Sequence, residues 1–174
     1  MTFERIDGEE VWRGQIGVVR IENFRHDDGK VVEREVIQHP GASVVLPFDG
    51  ERVWLVRQPR EVVGEQSLLE LPAGKWDEED ESPLDVANRE LREEIGKAGA
   101  TWRFLTRFYS SPGFTNEEIH AFLATDLSDA PGERDETERI EVVPEPLSRL
   151  DEVIQSCRDS KSLVTLLWFR AFVR

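Results

Sequence analysis

Three glutamates, Glu90, Glu93 and Glu94, fall at i, i+3 and i+4 within GKWDEEDESPLDVANRELREEIG, residues 74–96. In a helix that spacing puts all three carboxylates on one face. Like charges so close repel and weaken the helix, so something must offset them. A hard divalent cation would do so, and a ligand set made only of oxygen favours Mg²⁺ or Mn²⁺ over zinc. Such an ion neutralises anionic oxygens and activates water. Spacing alone leaves a plain solvated acidic face as the alternative.

A helix must hold this cluster, and its limits are legible. Ser82 suits an N-cap, Pro83 the first helical position and Asp85 the capping-box carboxylate, while Gly96 is a natural stop. At about 100° per residue, Leu84, Leu91 and Ile95 gather on a neighbouring face that could anchor the helix to a sheet. Strands must supply that sheet. VWRGQIGVVRIENF (11–24) and KVVEREVIQH (30–39) are β-rich around the turn HDDG, and ASVVLPF (42–48) with RVWLVRQ (52–58) flanks DG as a second hairpin. An aromatic run, TWRFLTRFYS (101–110), precedes the strands IHAFLATDL (119–127) and IEVVP (140–144), with APGERDETE (130–138) as a polar loop. LDEVIQSC and SLVTLLWFRAFV carry helical spacing near the end. The expected architecture is a single α/β (α+β) domain with a mixed sheet.

Composition bounds the function. The 174 residues are 39% apolar and 33% charged, enough for one domain with a real core. No apolar run approaches a membrane span, and the charged start MTFERIDGEEVW lacks a secretory signal, so the cytoplasm is the expected compartment. A net charge of −14 without a polybasic run argues against nucleic acid or an anionic membrane as partner. A small anionic substrate is compatible if a metal and local arginines reverse the field in one cleft. The single Cys157 reads as a buried structural thiol, and His26, His39 and His120 show no metal-ligand spacing.

The acidic stretch resembles the signature box of the Nudix hydrolases: Gly, five residues, Glu, seven residues, then Arg-Glu-apolar-any-Glu-Glu-any-Gly-apolar. Glu81, Arg89, Glu90, Leu91, Glu93, Glu94 and Gly96 match in register. Gly74 lies one residue too far upstream, which puts an insertion in WDEED, and Lys97 takes the closing apolar place. The resemblance implies a Nudix fold, a mixed sheet sandwiched between helices, with an N-terminal antiparallel β-segment at 1–40 and the hydrolase domain at 41–174. It implies that Glu90, Glu93 and Glu94, with the carbonyl of Ala73, hold the metal. Glu93 and Glu94 would thereby take part in catalysis, and Glu81 and Arg89 would pair to fix loop against helix.

The flanks LLELPAGK and SPGFTNEEIHAFLA resemble the ADP-ribose pyrophosphatase branch of that family, as do Pro112, sixteen residues past Gly96, and VRQPR (56–60). This likeness covers about residues 34–170. It implies substrate contacts from Arg57 and Arg60, with Pro59 where an aromatic is usual, and from Pro112 and Gly113 in a bending loop. It also gives Glu70 a place in the metal or substrate shell, against a plain strand-end carboxylate. Glu117, or its neighbour Glu118, would align water from a flexible loop. Trp76 and Trp102 could stack on adenine or simply pack. The branch further implies a homodimer that exchanges N-terminal strands. Other Nudix substrates, such as nucleotide sugars, flavin dinucleotides or dinucleoside polyphosphates, and a non-catalytic Nudix-fold module are the competing readings.

Overall fold

The computed structural model describes residues 1–76, 81–133 and 139–173, and within these the chain forms two compact units. The first comprises residues 1–41 and 109–118. Its strands β1 (Phe3–Arg13), β2 (Val18–His26) and β3 (Val31–Gln38) form an antiparallel sheet in the order β1-β2-β3. Nearly every residue of β1 is exposed, so it carries no apolar alternation, and the charged start of the chain does not announce a strand. What β1 contributes inward is charge. Glu22 is buried and takes hydrogen bonds from both Arg5 and Arg20, while Gly8 leaves room for its carboxylate.

Residues 111–117 are tied to β3. The Ile37 N–H donates to the Phe114 carbonyl (2.7 Å), the Asn116 N–H to the Ile37 carbonyl (3.4 Å), and the His39 N–H to Asn116 Oδ1 (2.8 Å). The loop expected to be flexible is therefore stapled to a strand by backbone hydrogen bonds.

The second unit comprises residues 42–108 and 119–173 of the described chain. One sheet runs β10-β5-β6, from β5 (Arg52–Arg60), β6 (Glu65–Glu70) and β10 (Glu141–Pro146). The other runs β7-β4-β9-β8, from β4 (Ala42–Pro47), β7 (Ala73–Lys75), β8 (Lys97–Tyr109) and β9 (Glu118–Asp129). It is mixed: β4 pairs parallel with β9 and antiparallel with β7.

The hairpin expected at 42–58 is not formed as such. Asp49 and Gly50 make the turn, with Asp49 Oδ1 accepting from the Glu51 and Arg52 amides, but β4 and β5 enter different sheets and share only the Phe48–Val53 bridge. Turn chemistry fixes the reversal and leaves the choice of strand partner to the core.

Alternation along β4 and β9 feeds two cores. Val44, Leu46, Ala121 and Leu123 meet α2 (Leu150–Ser156) and α3 (Ser160–Phe172) through Leu150, Val153, Leu166 and Phe169. Val45, Phe122 and Ala124 meet the acidic helix through Ala87, Leu91 and Ile95. That helix is α1 (Pro83–Glu90), continued by the π-helical turn Leu91–Ile95. Its anchoring face differs from the expected one: Leu84 is 39% exposed, and Ala87 takes its place in a row spaced i, i+4, i+8. A small side chain lets the helix approach the sheet. Full burial of Leu91 alone contributes about 1.5–3 kcal/mol. Cys157 is buried in the first core, as expected of a structural thiol. Among the described residues no helix is long and apolar enough to cross a membrane.

Candidate active site

The glutamate turn is set at both ends by local chemistry. Ser82 caps α1: its Oγ accepts from the Asp85 N–H (3.2 Å), and Asp85 Oδ2 accepts from the Ser82 N–H (3.2 Å). At the other end Gly96 adopts φ +78°, a left-handed conformation that favours glycine, and donates to the Arg92 carbonyl (3.0 Å). The same carbonyl accepts from the Gly132 N–H (2.9 Å). A Cβ on Gly132 would stand 2.9 Å from the Glu93 nitrogen, so the polar loop's first residues lie backbone against backbone on the turn that presents Glu93 and Glu94.

On that turn Glu90 and Glu94 are 8% and 3% exposed, and Glu93 is more open. Arg89 lies among the acids. Its Nη1 is 2.7 Å from Glu90 Oε1 and 3.1 Å from Glu93 Oε2, and its Nε is 3.1 Å from Glu81 Oε1. Burial works against the Arg89 charge. The Glu81 hydrogen bonds and the charges of Glu90, Glu81 and Glu93 outweigh it and raise its pKa. One guanidinium thus binds the upstream loop residue Glu81 to the glutamate turn. A cleft of about 360 Å³ opens beside it, lined by Asp85, Asn88, Arg89, Arg92, Glu93, Gly132 and Glu133.

Gly74 stands on β7, directly against this cluster. A Cβ there would fall 1.8 Å from Glu90 Oε1, so only glycine leaves space for the Glu90 carboxylate. Ala73 precedes it and pairs with Val44 of β4. Among the described residues no three His, Cys, Asp or Glu side chains form a ready-made metal group. The donor set nevertheless fits a hard divalent cation: three oxygen-donor side chains on one turn, with glycine keeping the space in front of Glu90 clear. Of the segment WDEED, which carries the one-residue insertion of the box, residues 77–80 lie outside the described residues.

A second polar cluster adjoins the ends of β5 and β6. Arg60 grips Glu70 with two hydrogen bonds, Nε to Oε1 (2.6 Å) and Nη2 to Oε2 (2.8 Å). Glu70 is 1% exposed, so its carboxylate serves Arg60 and does not face solvent. Lys161 Nζ lies 3.8 Å from Glu70 Oε2 and 2.8 Å from Asp159 Oδ1. Asp159 caps α3: its Oδ2 accepts from the Ser162 N–H (2.9 Å) and hydroxyl (2.7 Å). Burial opposes the Asp159 charge most strongly, but Lys161 and the Ser162 hydrogen bonds prevail and lower its pKa. Arg57 is half-buried and makes no ion pair with another described residue. By alternation it shares the β5 face of Val53 and Leu55, opposite to Val56, which packs toward α1.

Pro112, Gly113 and Glu117 belong to the first unit. The Glu117 N–H donates to Thr115 Oγ1 (3.1 Å), and its carboxylate is 3.8 Å from His39 Nδ1. Pro112 and Gly113 help to line a groove of about 480 Å³ with Phe3, Phe24, Tyr109 and Phe114. Glu118 begins β9 and is half-buried. Trp76 packs edge-on to His120 at 4.9 Å and donates to Ser43 Oγ (2.9 Å), while Trp102 packs against the α1 core and donates to the Gly99 carbonyl (2.9 Å).

Sequence reading passed over Asp159, Lys161, Ser162 and Gly132. Asp159 followed three residues later by Ser162, ahead of an apolar run, was an available N-cap signal. Nothing local ties Lys161 to Glu70, 91 residues earlier, or Gly132 to the glutamate turn.

Known proteins give this geometry a context. A model of the NUDIX domain matches residues 37–156. The ADP-ribose pyrophosphatase of Bacillus subtilis is 36% identical over 151 residues, covering 85% of this chain and 80% of its own. The ADP-ribose pyrophosphatase of Mycobacterium tuberculosis is 39% identical over 126 residues, 72% of this chain, which spans only 60% of that protein. The methanol dehydrogenase activator of Bacillus methanolicus is 32% identical over 171 residues, 95% of this chain and 91% of its own. A solved structure of an ADP compounds hydrolase superposes with a TM-score of 0.84 at 22% identity, covering 98% of this chain and 93% of that one, and shares the fold.

Proposed function

Because the chain belongs to the Nudix family, we propose that it is a pyrophosphohydrolase that cuts ADP-ribose into AMP and ribose 5-phosphate. The observation that carries this reading is the glutamate turn: Glu90 and Glu93 held by Arg89, Glu94 buried on the same turn, and Gly74 making room for Glu90. Relatives named ADP-ribose pyrophosphatase, at 36% and 39% identity, support the choice of substrate.

In this reading Glu90, Glu93, Glu94 and the Ala73 carbonyl would hold Mg²⁺ or Mn²⁺, which when bound neutralises pyrophosphate oxygens and acidifies water. Arg89 holds the glutamates in place and ties them to Glu81. The chain's net charge of −14 repels a dianionic substrate, so local cations must receive it. Arg60 offers the part of its fork that Glu70 leaves over, and Arg57 has no competing carboxylate among the described residues. Glu117 is the proposed water-aligning base, and Pro112 and Gly113 shape its loop. A panel of ADP-ribose, ADP-glucose and diadenosine polyphosphates tests the substrate. ADP-ribose should be turned over fastest, and faster cleavage of a dinucleoside polyphosphate would overturn the assignment.

A homodimer completes the reading. Phe3, Val11, Trp12, Ile16 and Val31 are exposed on and between β1, β2 and β3, apolar side chains that a second copy could cover. Light scattering should give twice the mass of one chain. A fully active monomer would contradict it.

A further inference from the structure

We propose that the first turn of α3 belongs to the substrate-binding apparatus: Asp159 and Lys161 are positioning residues that hold Glu70, and through it Arg60, in the pose that meets an anionic substrate group. The proposal rests on the reading of Arg60 as a substrate contact.

Arg60 carries a planar fork of five N–H donors, and Glu70 takes two of them through Nε and Nη2. The Nη1 edge is left over, and the side chain is 41% exposed. Glu70 is 1% exposed, and both of its carboxylate oxygens accept from Arg60. Its task is to fix the guanidinium plane, and a buried carboxylate is better compensated by two cations than by one. Lys161 is the second partner, 3.8 Å from Glu70 Oε2.

Lys161 is aimed in turn. Asp159 Oδ1 holds its ammonium at 2.8 Å, and Asp159 is itself locked by the cap it forms on Ser162. The Ser162 hydroxyl accepts from the Leu71 N–H at 2.6 Å, which fastens the cap to the residue beside Glu70. Two cations and two carboxylates therefore alternate from α3 to the end of β5. The cluster is neutral as a whole, so its contribution to binding is orientation and not attraction.

A purely structural ion cluster would make a different prediction. Breaking it would lower the melting temperature and leave KM alone. Positioning predicts a split: Lys161→Met raises KM for ADP-ribose about tenfold with kcat within about threefold, the loss of one charge-assisted contact. Lys161→Arg, which keeps the charge, restores most of the affinity. Coupling provides the decisive readout. If Lys161 acts through Arg60, then Lys161→Met in the Arg60→Ala background adds no further rise in KM.

The experiment is steady-state kinetics with ADP-ribose and Mg²⁺ on both single variants, the double variant and Lys161→Arg, with a melting temperature for each. Asp159→Asn keeps a capping side chain but drops the charge that aims Lys161. It should raise KM by a smaller step, and it serves if Lys161→Met fails to fold. Equal rises in KM from Lys161→Met in both backgrounds, or a lowered melting temperature at constant KM, overturn the proposal. If Arg60→Ala leaves KM unchanged, the reading of Arg60 falls and this proposal with it. If Arg60→Ala raises KM and Lys161→Met does not, only the positioning role falls.

Discussion

A Glu94→Gln variant is expected to fold normally and to lose kcat by about 10²–10³-fold, comparable to removing one well-placed electrostatic group from an active site. Glutamine keeps the shape of the side chain and removes its negative charge, making it a poorer ligand for a hard cation. Glu94 is 3% exposed and shares a turn with Glu90 and Glu93, so neutralising it also relieves like-charge repulsion. The melting temperature should therefore hold or rise while activity falls. Apparent affinity for Mg²⁺ should weaken in parallel. Kinetics across a Mg²⁺ titration, with thermal melts, measures both. Near-normal turnover at limiting Mg²⁺ would show that Glu94 is not a ligand.

Gly74→Ala is expected to be nearly as damaging, on the order of 10²-fold in kcat/KM, although it adds a single methyl group. That methyl would lie 1.8 Å from Glu90 Oε1, 2.2 Å from its Cδ and 2.8 Å from its Cγ. All three atoms belong to the end of one side chain, so the fold can relieve the clash by swinging the carboxylate aside. Stability should fall by about 1–3 kcal/mol or less. The functional cost is larger, because a displaced Glu90 also drags on Arg89, 2.7 Å away, and through it on Glu81 and Glu93. Activity assays and urea melts separate the two effects. Full activity with an unchanged Mg²⁺ requirement would mean that the space before Glu90 plays no part.

Legibility followed the range of the interactions. The cap at Ser82, the stop at Gly96 and the spacing of the glutamates depend on neighbours within one or two turns, and all could be read directly. The DG turn was local too, but which sheets β4 and β5 enter depends on distant strands. Leu84 misled because the helical wheel weighs large apolar side chains. Close approach of helix to sheet selects a small one, Ala87. Apolar alternation does not mark β1, whose partners are charges and backbone with Glu22 the buried residue that organises Arg5 and Arg20, so only the family resemblance placed it within a β-segment at 1–40. Arg60 and Glu70 were each marked as candidates for substrate or metal. Their mutual grip, and the hold of Lys161 on Glu70, appear only when residues far apart in sequence are brought together. Family likeness could point to the residues of the box, but the supports beneath them lie in the packing.

The most direct test of hydrolysis at a pyrophosphate by the glutamate turn is mass spectrometry of the products made from ADP-ribose in ¹⁸O-labelled water with Mg²⁺. Attack of water on either phosphorus breaks the bridging P–O bond and gives AMP and ribose 5-phosphate, with one ¹⁸O in the phosphate of whichever fragment was attacked. Label in one of those two phosphates is the predicted result. Release of ADP, or products whose phosphates carry no label, would contradict it.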